Sequence, residues 1–280
     1  DGPAPEADSL PASDSLAVAR EAITDTRPSS WEEVFGWVNR DQHASQSAED
    51  QRPRFSGRDS PVVGTGGESE HDSDEVLTAT MSMMEFRRQE FAKRFGPCTE
   101  YHEDDDASMR VDVSVHQPDG GRDFATLVTS GMSDYPIPGG QRSVFAELLL
   151  YATHVDDVAI QILRRAAKVP FQTHTGLSIG TTESLDQLKG LKGMMQGSNQ
   201  NDCVYMLPVI ESDSKPISAK ELIGSSVQLF WLVTITDAER RLIDTEGIHK
   251  FLALMEQNKH AVYFDLMREC YVKRKSWFRR

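Results

Sequence analysis

The sequence predicts an α+β fold: one domain, residues 77–272, with a central mixed, mainly antiparallel β-sheet packed by helices. Helical patterns occur before, among and after the strand patterns, and a short turn joins the first two predicted strands. A disordered acidic arm, residues 1–76, precedes the domain, and a basic tail, residues 273–280, follows it. A length of about 200 residues is ordinary for one domain.

The arm is predicted to be disordered because it is rich in acidic and small polar residues. Residues 1–79 hold 17 acidic and 6 basic residues, a net charge of −11, whereas the rest of the chain contributes only −3 to the total of −14. Such a segment cannot bury enough apolar area to offset its chain entropy. One exception lies at residues 30–38, where a capping-box pattern from Ser30 to Glu33 leads into apolar residues on one helical face. We expect a short helix there, which either docks on the chain's own domain or binds a partner.

The domain is predicted to open with a helix that ends at Phe95. Ser82 and Glu85 form a second capping-box pattern at its start. Gly96 and Pro97 then supply the residues that commonly stop a helix.

Three strands are predicted next. The most regular alternation of apolar and polar residues runs from 109 to 116, which is typical of a half-buried strand. A turn at residues 118–121 leads to a second strand at 124–129, and a third strand follows at 144–151.

The best candidate site lies at the junction of the second and third strands. Gly131, Met132, Ser133 and Asp134 form a Gly-led polar turn, and Glu147 interrupts the otherwise apolar third strand. A charge is costly to bury unless it is paired or hydrogen-bonded, so Glu147 is either held by groups of the turn or points out of the sheet. Gly allows close backbone approach, and the polar side chains can order the loop. Plain turn chemistry explains the pattern equally well.

The second half of the domain mixes helices and strands. The predicted elements are a helix at 155–167 that ends before Pro170, a polar loop at 171–180, a helical pattern at 182–195 interrupted by Gly190 and Gly193, strands at 203–210 and 227–235, a helix opened by a capping box from Thr236 to Glu239, and a helix at 248–255.

No cofactor, metal centre or catalytic residue is predicted. Cys98, Cys203 and Cys270 are odd in number and widely spaced, which argues against a disulfide framework or a zinc site and fits a reducing, cytoplasmic compartment. Cys98 and His102 lie close to the acids at 103–106, but adjacent acids in a loop point in several directions. We therefore expect a solvated acidic loop there.

A hydrolase is the alternative function. His174, in the Gly-flanked loop, and His116, on the first long strand, are the candidate general bases together with nearby acids. Neither is part of a recognised nucleophile motif, and a hydrogen-bonded structural role is favoured for both.

Nucleic acid and membrane partners are disfavoured. An acidic chain repels nucleic acid backbones, and the Gly pairs at 120–121 and 139–140 do not form a phosphate-binding loop. The basic tail carries interleaved aromatic residues but is more typical of a solvated chain end. No run of about 18 apolar residues is present, so no membrane-spanning helix is expected.

Several segments together resemble bacterial members of the Suppressor of fused (SUFU) domain family. The likeness covers roughly residues 80–260. It is carried by the helix that ends in Phe95-Gly96-Pro97, the following His102-Glu103, the strand at 111–115, the segments LVTSGMSDYP at 127–136 and AELLL at 146–150, and, more loosely, the segments at 168–176 and 229–243. The segments at 127–136 and 146–150 are the most specific.

The resemblance implies a non-catalytic protein-binding module. In animals the family's namesake binds Gli-type transcription factors, and a partner peptide lies as a strand in a cleft between two lobes. Many bacterial members are thought to be immunity proteins that neutralise toxin domains. We therefore expect a cytoplasmic protein that binds a toxin domain or a regulatory partner. The expected binding residues are Gly131, Met132, Ser133, Asp134, Glu147 and His174.

Overall fold

The computed structural model describes residues 81–118, 122–138, 144–185, 191, 194, 195 and 197–273. The acidic arm, its expected helix at 30–38 and the tail beyond Lys273 lie outside the described residues. The α-helices within the described ranges are α1 (Met83–Phe95), α2 (Asp157–Thr173), α3 (Glu211–Ser214), α4 (Lys220–Ile223), α5 (Asp237–Glu246) and α6 (Ile248–Gln257), and a single 3-10 turn covers Met132–Asp134. The strands are β1 (Cys98–His102), β2 (Asp112–His116), β3 (Ala125–Ser130), β4 (Phe145–Ala152), β5 (Thr182–Ser184), β6 (Asp202–Met206), β7 (Ile217–Ala219) and β8 (Ser225–Ile235).

The strands form one mixed sheet. Their order is β1-β2-β3-β4-β8-β6-β5, and β7 pairs with the first part of β8. β4 and β8 run parallel, whereas the other neighbouring strands run antiparallel. The predicted α+β fold with a mixed, mainly antiparallel sheet is confirmed.

Helices cover both faces of the sheet. The apolar side of α2 packs on one face, against residues such as Val113 and Leu148. Residues of α1, α5 and α6 pack on the opposite face, against Leu149 and Trp231. Because both faces are covered, β2 is buried along its whole length, and the prediction that it is half-buried was wrong. Its polar residues must therefore find partners inside the protein.

The capping boxes predicted at two helix starts differ in completeness. Thr236 and Glu239 bond each other's backbone N–H groups at the start of α5, which confirms that prediction. At the start of α1, the Ser82 side chain accepts from the Glu85 N–H at 3.2 Å. Each of these bonds satisfies an N–H group that a helix start leaves without a partner.

Helix α2 continues to Thr173, so its predicted end before Pro170 was wrong. Pro170 has no N–H group to donate to the Ala166 carbonyl, and the hydroxyl group of Tyr205 donates to that oxygen instead, at 3.0 Å. Tyr205 lies on β6 and is buried. Burial raises its pKa well above the usual value, so the hydroxyl group keeps the proton that it donates. The helix therefore accommodates a proline in its last turn because a neighbouring strand satisfies the freed carbonyl.

The helix predicted over residues 182–195 is also wrong at its start, where Thr182–Ser184 forms β5 and pairs with β6. Gly190 and Gly193 lie outside the described residues. The sequence did not predict β1, β5 or β7, which are only five, three and three residues long. The two three-residue strands are too short to show a period, and β1, Cys-Thr-Glu-Tyr-His, lacks the alternation of apolar and polar residues that indicated β2.

Candidate functional site

Glu147 lies on β4 beneath the turn at residues 131–134 and is fully buried. Its Oε1 accepts hydrogen bonds from the Gly131 N–H and the Ser133 N–H, each at 3.0 Å, and from the Ser133 hydroxyl group at 2.7 Å. Its Oε2 accepts from the Thr129 hydroxyl group at 2.6 Å. Of the two arrangements that the sequence allowed, the structure shows the one in which groups of the turn hold the carboxylate.

Thr129 connects this carboxylate to the sheet. The last paired residues of β3 and β4 are Val128 and Leu149, so the two strands separate just before the turn. Beyond that point the Thr129 hydroxyl oxygen accepts from the Leu148 N–H at 2.8 Å while its hydrogen is directed to Glu147. The side chain thus continues the hydrogen bonding between the strands after the backbone pairing ends.

Gly131 has a backbone conformation that other residues rarely adopt, with φ at +130°. A Cβ atom on this residue would lie 2.4 Å from the Arg110 carbonyl oxygen, a backbone atom that cannot easily move. Glycine is therefore required here both for its φ angle and for the close approach of another backbone segment.

Arg87 holds the turn from the other side. It comes from α1, is buried, and donates from Nε to the Ser130 hydroxyl group at 3.0 Å and from its terminal nitrogens to Ser133 at 3.2 Å and to Asp134 at 2.5 and 3.3 Å. Its Nε also lies 3.7 Å from Glu147 Oε1. Arg87 was not among the predicted site residues, although its spacing of four from the buried Phe91 and of eight from Phe95 places it on the buried face of α1.

The two buried charges affect each other's titration. Burial raises the pKa of Glu147, and the positive charge of Arg87 with the hydrogen bonds from the turn opposes this only in part. Burial alone would lower the pKa of Arg87, but the charge of Glu147 and the contacts with Asp134 outweigh it and raise that pKa. Arg87 is therefore a permanent cation, and it compensates the buried carboxylate.

The turn exposes its second half. Gly131, Met132 and Ser133 are buried, whereas Asp134, Tyr135 and Pro136 are exposed, with 53% of Tyr135 accessible. The Tyr135 ring lies edge-on to the ring of Phe171 in the last turn of α2, with 6.3 Å between centroids.

His174 ends α2 in a left-handed conformation and is exposed. Gly176 approaches the Pro138 carbonyl, so this loop lies beside the segment that follows the turn. We call Asp134, Tyr135, Pro136, Phe171 and His174 together the Tyr135 surface.

The six predicted binding residues thus fall into two groups. Gly131, Met132, Ser133 and Glu147 are buried, and they can influence binding only through the shape of the turn. Asp134 and His174 are exposed and can touch a partner directly. A role of these residues in binding stays a prediction.

The two candidate general bases of the hydrolase alternative, His116 and His174, lie in different surroundings. His116 is buried, with Nδ1 2.8 Å from the Gly96 carbonyl and Nε2 3.2 Å from the Ser114 hydroxyl group, and burial lowers its pKa. His174 lies on the exposed loop described above. Their surroundings give the hydrolase alternative no support.

The acidic loop after β1 is tied to the protein rather than solvated at its centre. Lys168 Nζ lies 2.6 Å from Asp104 and 2.8 Å from Asp106, and Asp104 also accepts from the Val111 N–H at 3.0 Å. The expectation of a solvated loop was therefore wrong for Asp104, whose side chain is only 8% exposed. Among the described residues, no group of three or more His, Cys, Asp or Glu side chains is placed to hold a metal ion.

Comparison with known proteins gives consistent matches. The family model of the Suppressor of fused protein (SUFU) matches residues 108–269, which include the turn and Glu147 but not Arg87. A crystal structure of a SUFU homologue from Neisseria gonorrhoeae FA 1090 is similar with a TM-score of 0.53 and 14% identity, over 69% of this chain and 98% of that one. The structure of a Sufu–Fu complex is similar with a TM-score of 0.51 and 10% identity, over 68% and 93% of the two chains. No curated protein matches the chain in sequence. At these identities the structural matches show a shared fold.

Proposed function

The chain belongs to the Suppressor of fused family, and we propose that it is a non-catalytic protein-binding module. The similar Sufu structure is described as a complex with Fu, which supports protein binding as the activity. One observation carries the proposal. Tyr135 is half exposed, and it directly follows a turn whose buried side is fixed by Glu147 and Arg87.

The Tyr135 surface has the features of a binding site. Tyrosine is enriched among residues that dominate binding energy, because it offers a large apolar ring and a polar hydroxyl group at a small cost in side-chain entropy. The turn is held by buried hydrogen bonds, so little further ordering is needed when a partner binds. Phe171 supports the ring from one side, and Asp134 and His174 supply polar contacts.

The edges of the sheet are poorer docking sites. A partner strand could add to β1, which is the outer strand at one end of the sheet. However, β1 has only five residues, follows Pro97 and carries a register shift between Cys98 and Glu100. Short length, proline and bulges are the features by which edge strands avoid pairing with other chains. β5, at the other end, has only three residues.

We propose a protein partner and a cytoplasmic location. Cys98, Cys203 and Cys270 are free thiols, which suits a reducing compartment. No helix in the described ranges is long and apolar enough to cross a membrane. The partner is a toxin domain if the chain is an immunity protein, and a regulatory protein otherwise. Most of the net charge of −14 lies in residues 1–79, so electrostatic steering towards a basic partner would come mainly from the acidic arm.

A binding experiment with a matched control tests the proposal. The partner is captured from the native host with the full chain, identified and purified, and its affinity is measured by calorimetry for wild type, Tyr135→Ser and Met267→Ser. Met267 is the control because it is 73% exposed and lies outside the Tyr135 surface.

We expect Tyr135→Ser to weaken binding by about 30-fold, the loss of roughly 2 kcal/mol that is typical of a central aromatic residue. Met267→Ser should change the affinity by less than about twofold. Equal affinities for all three proteins, with unchanged melting temperatures, would contradict the proposed surface. Inhibition of a toxic activity by the wild-type chain would identify the immunity role.

A further inference from the structure

The sheet is split at one end. The parallel strands β4 and β8 are last paired at Leu149 and Trp231. β4 then continues to Ala152 along β3, and β8 continues to Ile235 along β6. Beyond Leu149 and Trp231, β4 and β8 therefore separate, and none of the described strands fills the gap between them.

Residues 258–273, which we call the C-terminal strap, lie across this split. The Phe264 N–H donates to the Tyr151 carbonyl of β4 at 2.7 Å, and the Arg268 guanidinium group donates to the Thr234 carbonyl of β8 at 2.9 Å. Phe264 and Leu266 pack against the core on one face of the sheet, and Val262, Tyr263 and Tyr271 pack against the core on the opposite face. The strap thus connects the two strands and the two cores.

One buried ion pair holds the strap to α5. Arg268 donates from its two terminal nitrogens to the two carboxylate oxygens of Glu239, at 2.7 and 2.8 Å. The Tyr271 N–H donates to the same carboxylate at 2.8 Å. Glu239 is fully buried, and its position is fixed independently by the capping box with Thr236. Glu239, the acceptor, is therefore held in α5, whereas Arg268, the donor, belongs to the strap.

The strap is less buried than the helix before it, although the side chains of Ser198 and Gln200 also donate to its Leu266, Asp265 and Arg268 carbonyl groups. None of residues 258–273 is fully buried, whereas α6 directly before it buries Ile248, Phe251, Leu252 and Met255. Phe264 makes the single backbone hydrogen bond that joins the strap to a strand in the described part of the chain. Between the strap and residues 231–234 of β8 lies a small hollow with room for about one water molecule. A segment without fully buried residues and with few backbone bonds opens at a lower cost than the sheet beneath it.

The strap begins at a strained residue. Lys259 follows the last turn of α6 with φ at +52°, in the left-handed region that a residue with a Cβ atom adopts only at a cost. The His260 N–H closes this helix end on the Met255 carbonyl at 2.8 Å. A change of backbone angles at Lys259 would relieve the strain and redirect everything that follows.

We propose that the C-terminal strap opens as a unit about Lys259 while the sheet stays folded, and that the Arg268–Glu239 ion pair is the latch that holds it closed. Opening uncovers Trp231 and the carbonyl groups of Tyr151 and Thr234. The strap is therefore a conformational device that shares no residue with the Tyr135 surface and that controls access to the split between β4 and β8.

Amide hydrogen exchange on the full chain tests the latch, with Arg268→Ala compared with Arg241→Ala. Arg241 is the control because it pairs with Asp237 on the same helix, α5, but is 76% exposed. We expect Arg268→Ala to speed exchange in residues 260–272 by about tenfold or more while β2 and β3 change by less than about twofold. Arg241→Ala should change neither region. Equal acceleration in the strap and the sheet, or none in the strap, would overturn the proposal.

A reversible lock tests the opening itself if Arg268→Ala does not fold. The Cys270 sulfur lies 3.0 Å from the Thr236 hydroxyl oxygen, so Thr236→Cys places a second thiol group within reach of it. The variant is made with Cys98→Ser, which removes an exposed thiol. After oxidation with diamide, exchange in residues 260–272 should fall by about tenfold relative to the reduced form of the same protein. Identical exchange in the two forms, with the disulfide verified by mass, would show that the strap does not open separately.

Discussion

Glu147 and Arg87 meet beneath the turn at residues 131–134, with 3.7 Å between Glu147 Oε1 and Arg87 Nε. Glu147 belongs to the central strand β4, and Arg87 belongs to α1 on one face of the sheet. Each also bonds Ser133, so the turn is fixed from the strand and from the helix at once. The exposed position of Tyr135 follows from this arrangement.

Glu147→Ala should destabilise the fold strongly. The substitution leaves the partly exposed Asp134 as the remaining acidic partner of the buried Arg87. It also leaves two N–H groups and two hydroxyl groups of the turn without their acceptor. We expect the free energy of unfolding to fall by roughly 3–5 kcal/mol in urea denaturation. Glu211→Ala is the control, since that side chain is 72% exposed, and should change stability by less than about 0.5 kcal/mol. A loss below about 1 kcal/mol for Glu147→Ala would mean that the carboxylate does not hold the turn.

Gly131→Ala should cost more than Gly224→Ala. Both glycines have positive φ angles, so both substitutions introduce backbone strain. A Cβ atom at Gly131 would also clash with the Arg110 carbonyl, whereas nothing lies within 4 Å of one at Gly224. The difference in unfolding free energy between the two variants should be roughly 1–3 kcal/mol, the usual cost of forced overpacking. Equal melting temperatures would show that the backbone at Arg110 moves aside freely.

Glu147 and Glu239 should affect stability with opposite dependence on pH. Burial raises the pKa of Glu147, so its favourable contribution is greatest in acid and is lost as pH rises through its folded-state pKa. Burial acts in the same direction on Glu239, but the hydrogen bonds and charge of Arg268 outweigh it and lower the pKa. Its contribution is therefore present above the ordinary glutamate pKa and is lost as pH falls through the lower folded-state value.

The pH dependence of both contributions is measured by comparing the stability of wild type with that of Glu147→Gln and of Glu239→Gln. From pH 4 to pH 7, the stability advantage of wild type over Glu239→Gln should grow, and that over Glu147→Gln should shrink. Denaturant titrations at several pH values in this range suffice. If the stability advantage of wild type grew with pH over both variants, the raised pKa of Glu147 would be contradicted.

Tyr205→Phe should destabilise the end of α2. Removal of the hydroxyl group leaves the Ala166 carbonyl without the donor that replaces the missing N–H of Pro170. An unsatisfied buried carbonyl costs about 1–3 kcal/mol, and thermal unfolding should show a loss of this size. Tyr135→Phe, at an exposed tyrosine, is the matched control and should be close to neutral. If both variants have the melting temperature of wild type, another group donates to the Ala166 carbonyl.

The site could be predicted in part from the sequence. A carboxylate in an apolar strand is paired, hydrogen-bonded or directed out of the sheet, and a Gly-led polar turn close by in the sequence offered donors. The contact of Glu147 with the turn was therefore one of the two arrangements that the sequence allowed. Arg87 was missed because it lies 43 residues before its partner Ser130, and no local pattern connects two residues so far apart. The spacing of Arg87, Phe91 and Phe95 on one helical face was the available signal.

The errors in the fold have similar causes. The alternation at residues 109–116 correctly indicated a strand, but it cannot distinguish a face covered by water from one covered by a second helical layer, and α1 supplies that layer. His116 and Ser114 satisfy each other within it. The end of α2 was placed too early because the hydroxyl group that allows Pro170 belongs to Tyr205 on a later strand.

Hydrogen exchange of the full chain with and without its purified partner tests the central claim most directly. If the Tyr135 surface binds the partner, exchange should slow at residues 134–136 and 171–176, while the edge strand β1 stays unchanged. Protection confined to β1 or to the C-terminal strap, with none at residues 134–136 or 171–176, would contradict it.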